Sequence, residues 1–239
     1  MKVQRRPQAF TLYFVLAGLF ITSLVVSNLI FQKFFSWEPF GKVSVGSSPI
    51  FELSVGILPY PLTFLITDLI SEIYGKKWAN KVVVVGIIAS VFSLLIVYTA
   101  SSVLATSWSP VSDEVFSRVF GNTIVAVFSS MMAYLLAQFV DIQIYHFWKR
   151  VTRGRHLWLR NNFSTFSSQL IDTSAVVFLL CVFGEIQWDR FGGLVLSGFL
   201  FKAMIALLDT PVLYALVYWA RGYFGLEVNE EIDLLETNQ

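Results

Sequence analysis

Long apolar stretches separated by short polar turns dominate this chain, and six of them approach or exceed the length of a bilayer crossing. A spanning helix needs about 20 mainly apolar residues, because the hydrocarbon layer is about 30 Å thick and each residue rises 1.5 Å. The stretches at 12–31, 53–73, 82–104, 123–147, 164–183 and 193–219 meet this demand or nearly so. The second opens with Pro59 and Pro61, and two prolines this close break or kink a helix. Its first third is expected to be re-entrant or unwound, which a membrane tolerates only where the freed backbone faces protein or a polar cavity. The sixth carries Pro211 after Asp209 and Thr210, so a kink is expected beside an acid. The expected fold is an all-α integral membrane protein: one domain over residues 1–239, a six-transmembrane-helix bundle with its second span broken near Pro59 and Pro61.

Composition agrees with the pattern. Of 239 residues, 56% are hydrophobic and 14% charged, and the mean hydropathy is +0.67; an ordinary soluble domain carries about 25% charge. The basic start of the chain resembles a signal peptide, but the apolar run after it is too long and no small-residue cleavage pattern follows, so a retained first span is expected. The single Cys181 reads as a buried small hydrophobe.

Net charge is only +1, yet its distribution is uneven. Outside the spans, alternate compartments hold 12 Lys and Arg against 4, and Lys202 alone lies within a span. Short basic loops stay cytoplasmic, so both termini are expected on that side of a cytoplasmic (inner) membrane. The segment 148–162 holds five basic residues with Trp148 and Trp158. Beside spans, that mixture suits lipid head groups and topology rather than direct nucleic-acid binding. The opposite-side segment 108–114 has a turn and a capping pattern, and is expected to form a short surface helix.

The polar interruptions carry the chemistry. Asp68, Glu72, Gln138, Asp141, Gln169, Asp172, Lys202 and Asp209 all lie within the apolar stretches. A charge at the centre of a spanning helix costs about 2.5–3.5 kcal/mol on insertion scales, so a cluster of them reads as functional. Counted from the nearest basic markers, Asp68 and Asp141 lie about 12 Å deep and Asp172 and Asp209 about 18 Å. One pocket between the cytoplasmic interface and the midplane accounts for all four. Asp68 and Glu72 are four apart, while Gln138 and Asp141, like Gln169 and Asp172, are three apart, so each pair shares a helix face. The repeated Gln-x-x-Asp is compatible with an inverted repeat, although four residues do not establish one.

A carboxylate accepts two neighbouring N–H groups, and an amide offers a donor and an acceptor. That inventory suits a flat uncharged heterocycle with a guanine-type edge, with Tyr60, Phe64, Tyr134, Phe139 and Phe166 as ring-stacking candidates. The competing reading makes the polar residues mere ties between helices, with Lys202 neutralising one acid. Interhelical polar contacts average about 0.6 kcal/mol, too little to require so many acids. Glu72 and Lys76 are also placed for an ion pair at a helix end, with Gly75 breaking the helix.

No enzyme constellation is visible. His146 and His156 lie at or beyond the basic edge, far from Cys181, so no metal site is expected, and no Gly-rich phosphate loop ends in Gly-Lys-Ser/Thr. No cofactor is implied.

Residues 61–77 (PLTFLITDLISEIYGKK), 157–165 (LWLRNNFST) and 168–173 (SQLIDT) resemble the queuosine-precursor transporter family, and the likeness runs from the first span to the last. The resemblance implies uptake of a 7-deazaguanine, either 7-cyano-7-deazaguanine, its aminomethyl relative or the free base queuine, into the cytoplasm for tRNA modification. It also implies substrate binding by Asp68, Glu72, Gln138, Asp141, Gln169 and Asp172, while Lys202 and Asp209 fit the family pattern as coupling or charge-pairing groups. Membrane lipids and, as an option, a second copy of the chain are the remaining partners. Two alternatives stay open: the substrate-binding membrane subunit of an ATP-driven vitamin importer, and a structural or assembly membrane protein.

Overall fold

Seven α-helices make up most of the described residues, and many of the polar side chains within them turn inward. The computed structural model describes residues 6–31, 33–36, 44–45, 48–49, 52–121, 124–153, 156–184, 186–228 and 230–234. Within these, the side chains at 34, 44–45, 48–49, 52, 121, 124–130, 134, 157 and 160–161 lie outside the description.

The first helix, α1 (Arg6–Ile30), leads into four short strands: β1 (Phe34–Ser36), β2 (Ser44–Val45), β3 (Ser48–Pro49) and β4 (Glu52–Ser54). They pair antiparallel as β1 with β4 and β2 with β3. The sequence pattern gives no hint of these ribbons, because two or three residues are too few to show an alternation. A single 3₁₀ turn (Val55–Ile57) follows β4, and α2 (Tyr60–Ile73) starts only after Leu58 and Pro59. The second span is therefore broken where the prolines stand. Pro59 caps α2 and Pro61 sits in its first turn, positions at which a missing N–H removes a donor that would otherwise be orphaned inside the bundle.

Gly75 turns the chain with φ of 80° and opens α3 (Lys76–Ser101). The expected surface helix is present as α4 (Asp113–Phe116), capped by the Ser112 hydroxyl, which accepts from the Val115 N–H, and a π-turn (Ser117–Gly121) extends it. Helix α5 (Ile124–Val151) and α6 (Leu157–Val182) form the most extensive helix pair. The basic segment expected as a loop is thus largely helical, with only a short connection in which Arg153 and His156 take positive φ. A 3₁₀ turn (Trp188–Arg190) precedes α7 (Phe191–Phe224), which runs through Pro211 without ending; the Thr210 hydroxyl donates to the Ala206 carbonyl at 3.0 Å in that turn.

Among the described residues, five helical segments are long and apolar enough to cross a membrane: Arg6–Ile30, Val55–Ile73, Lys76–Ser101, Asn162–Val182 and Trp188–Phe224. Helix α5 is a sixth long helix, 28 residues, packed between α3 and α6. The outer faces of α3 and α7 are apolar, with Ile88, Phe92, Leu95, Leu208 and Tyr218 all exposed. A soluble protein does not leave so much contiguous apolar surface bare.

Helix α2 is the hub, since it meets α1, α3, α5 and α7. It is buried nearly all round, so its polar residues Thr63, Thr67, Asp68, Ser71 and Glu72 face protein. The segment after α7 folds back beneath it. The Ile232 N–H donates to the Ile73 carbonyl at 2.8 Å, capping the C-terminal end of α2, and Ile232 and Leu234 enter the apolar core.

Candidate functional site

The bundle has two ends, one bearing the strands and one bearing Lys76, Lys149 and Arg221, and ionisable residues lie at three levels between them. Nearest the basic end is Glu72. Its carboxylate accepts from Arg221 Nη2 at 2.6 Å and from the Tyr145 hydroxyl at 3.0 Å, and Lys149 Nζ lies 3.9 Å away. Lys149 also pairs with Glu231 of the returning tail at 2.7 Å. Lys76, which four-residue spacing matched to Glu72, bonds Gln143 instead. The difference is physical: a buried carboxylate is better satisfied by a largely buried guanidinium than by a lysine at the helix start that can reach water.

One level deeper are Asp141, Asp68 and Gln138. Asp141 is fully buried and accepts from the Ser168 hydroxyl at 2.8 Å, with Ser164 and Asp68 also in side-chain hydrogen-bonding contact. Gln138 donates through Nε2 to the Thr67 hydroxyl. The i,i+3 spacing on α5 therefore presents Gln138 and Asp141 together to α2 and α6.

At the third level, Asp172 of α6 forms an ion pair with Lys202 of α7, both buried. The ammonium also lies 5.0 Å from the centre of the Tyr60 ring, at the opening of α2. Gly198 permits this approach of α6 and α7, since a Cβ there would lie 2.9 Å from Thr173 Cγ2.

Two cavities flank this third level. The one toward the basic end, about 380 Å³, is lined by Tyr60, Pro61, Phe64, Asp68, Thr165, Gln169, Lys202 and Asp209, among others. The one toward the strands is larger, about 880 Å³, mainly apolar, and lined by Ser27, Asn28, Gly56, Tyr60, Asp172, Thr173, Gly198 and Lys202 together with aliphatic residues. Tyr60 and Lys202 belong to both walls.

Of the residues singled out from sequence, Tyr60, Phe64, Asp68, Gln169, Lys202 and Asp209 thus share the first cavity, and Asp172 joins the second. Gln138 and Asp141 sit behind them, in contact with α2 and α6 but in neither lining. Phe139 packs on the apolar core, Phe166 is half-buried, and neither lines these two cavities. The Tyr134 side chain lies outside the described residues. Thr67, Thr165, Ser168 and Asn28 were missed. The first three lie at or one residue from the helical spacing of the acids and amides, and Asn28 is an amide within an apolar run, so the rule that found the acids extends to it.

The polar supply is unbalanced. Gln138 Oε1, Asp141 Oδ2, Gln169 Oε1 and Asp172 Oδ1 are each buried without a hydrogen-bond partner among the described residues. All four are acceptors; the hydroxyls of Ser27, Thr165 and Thr173, which can donate as well as accept, are likewise unpartnered among the described residues, and leaving a buried polar atom unpaired costs about 1–3 kcal/mol.

Apolar-faced spans enclosing an acceptor-rich interior with two cavities fit a multi-pass membrane transporter. Residues 54–216 match the family described as "Putative vitamin uptake transporter", and the chain belongs to that family. It is 28% identical over 218 residues to the "Probable queuosine precursor transporter" of Bacillus subtilis (strain 168), covering 87% of this chain and 93% of that one. No solved structure matches the chain.

Proposed function

We propose that this chain imports a queuosine precursor, a flat 7-deazaguanine base, across the cytoplasmic membrane into the cytoplasm. The observation that carries the reading is the surplus of buried acceptors on Gln138, Asp141, Gln169 and Asp172. A guanine-type edge offers neighbouring N–H donors, which is what these oxygens lack. Asp172 and Gln169 read that edge, Asp141 and Gln138 complete the pocket, and Asp68 and Glu72 form its inner rim, with Glu72 held by Arg221 and Tyr145 as part of the closure on the basic side. Tyr60 and Phe64 offer ring faces along the cavity that Gln169 and Asp68 line. Helix α5 serves as the sixth span, the basic end and both termini face the cytoplasm, and residues 1–239 act as one transport unit. Breaking α2 at Pro59 places a helix start and irregular backbone beside both cavities, an arrangement that transporters use for binding and for alternating access.

The test is entry of radiolabelled 7-cyano-7-deazaguanine into liposomes containing only the purified chain, with and without an imposed pH gradient. Uptake without any ATPase is expected, falling about tenfold or more in folded Asp172→Asn, which weakens a charge-assisted contact. Uptake that requires copurifying ATPase subunits would assign the chain to an ATP-driven importer. Asp172→Asn protein that misassembles but, once folded, binds the base normally would reduce the cluster to interhelical glue.

A further inference from the structure

Lys202 stands in the wall between the two cavities with acids on both sides of it. On the strand side its ammonium holds Asp172. On the basic side the cavity that Lys202 also lines contains Asp209 and Asp68. Lys202 and Asp209 are seven residues apart on α7, two helical turns, so they lie on one face about 10 Å apart along the axis. Among the described residues no hydrogen bond or ion pair engages the Asp209 carboxylate, whereas Asp68 is already in contact with Asp141. A lysine carries its charge on a flexible four-carbon stem, so one ammonium can serve either neighbour.

Resting on the reading of Asp172 as a substrate-binding carboxylate, the difficulty is that Lys202 occupies it. A neutral base whose N–H reaches the free Oδ1 of Asp172 competes with the ammonium on Oδ2 for the same carboxylate charge, and a buried charge stripped of its partner is strongly unfavourable. We infer that Lys202 is a mobile internal countercharge, held by Asp172 when the site is empty and transferred to Asp209 when the base loads. Asp209 thereby acts as a positioning residue for binding in the opposite cavity without touching the base. Because the ammonium also flanks Tyr60, its transfer shifts the partition shared by the two cavities. Substrate arrival and opening toward the basic side become one event, with charge balanced before and after.

The first test needs no substrate. Melting temperatures of the purified chain in detergent are compared for Asp172→Asn, Asp209→Asn and the double variant, each with and without Lys202→Met. If Asp209 receives the displaced ammonium, the double variant loses about 5 °C or more beyond the sum of the singles, and this excess disappears with Lys202→Met. Additive losses in the presence of Lys202 overturn the inference. So does failure of Asp172→Asn alone to fold when Asp172→Asn/Lys202→Met folds, since the cation would then have no second holder.

The second test measures equilibrium binding of radiolabelled 7-cyano-7-deazaguanine. Asp209→Asn is expected to weaken binding about fivefold in the parent chain and not at all in Lys202→Met, which itself binds more tightly than the parent while transporting more slowly. An equal effect of Asp209→Asn in both backgrounds overturns the inference. A parent chain that does not bind the base sinks the substrate assignment, while the melting cycle still judges the countercharge on its own.

Discussion

Arg221, in the last turn of α7, holds Glu72 of α2 at 2.6 Å although 149 residues separate them. Glu72 is 1% exposed and Arg221 14%, so the pair works in a poorly solvated setting. Around it, Tyr145 of α5 adds a further donor and Lys149 a positive charge at 3.9 Å, and Lys149 reaches on to Glu231 of the tail. Four chain segments are thus tied at the basic end, while the roomier of the two cavities faces the strands.

Breaking that tie from one side should be costly, because the remaining charge stays buried. Arg221→Gln leaves Glu72 with a distant lysine and one hydroxyl, and is expected to destabilise the protein by about 3 kcal/mol. Glu72→Gln/Arg221→Gln should lose less than the two single variants added together. Thermal unfolding of the four proteins in detergent measures this; strict additivity would refute a direct pair.

Much of this arrangement was legible in the chain, and the illegible part has a physical reason. Asp68, Gln138, Asp141, Gln169 and Asp172 are placed inside by one argument: an acid or amide in an apolar run must find polar company. Pro59 and Pro61 mark the break in the second span because proline cannot donate and restricts its neighbour. Periodicity reports which residues of one helix share a face, but not which distant helix meets that face. The pairing of Glu72 with Arg221 rather than Lys76 was therefore hidden, as was which of the acids Lys202 neutralises. The return of Ile232 and Leu234 into the core was hidden too, since the segment 225–234 is too short to show a period. The α5–α6 connection was misjudged because basic and aromatic residues at a membrane interface extend helices as readily as they form loops.

Helix spacing beside the ion pair should be exacting at Gly198. A methyl group there would meet Thr173 Cγ2 at 2.9 Å and push α6 from α7 next to Asp172 and Lys202. Gly198→Ala is expected to cost about 1–3 kcal/mol of stability by overpacking and to lower transport. Thr173→Ser, which deletes the obstructing methyl and keeps the hydroxyl, should restore both when combined with it. A Gly198→Ala protein that melts and transports like the parent would show that the two helices have room to spare.

The acceptor surplus makes a prediction about the ligand rather than the protein. If Gln169 and Asp172 take the two neighbouring N–H groups of a guanine-type edge, an otherwise identical 7-deazapurine lacking the exocyclic amine leaves one buried oxygen unpaired. Its binding should weaken by about 1–3 kcal/mol, or roughly fivefold to 150-fold. Removing the acceptor from the protein should erase the preference: in Gln169→Leu or Asp172→Leu, whichever faces the amine, the two bases should bind within about threefold of each other. Competition of each base against radiolabelled 7-cyano-7-deazaguanine, in the parent and both variants, measures the difference directly. Equal affinity of the two bases in the parent chain would mean that the buried oxygens read some other group, and the edge assignment would fall even if transport itself were intact.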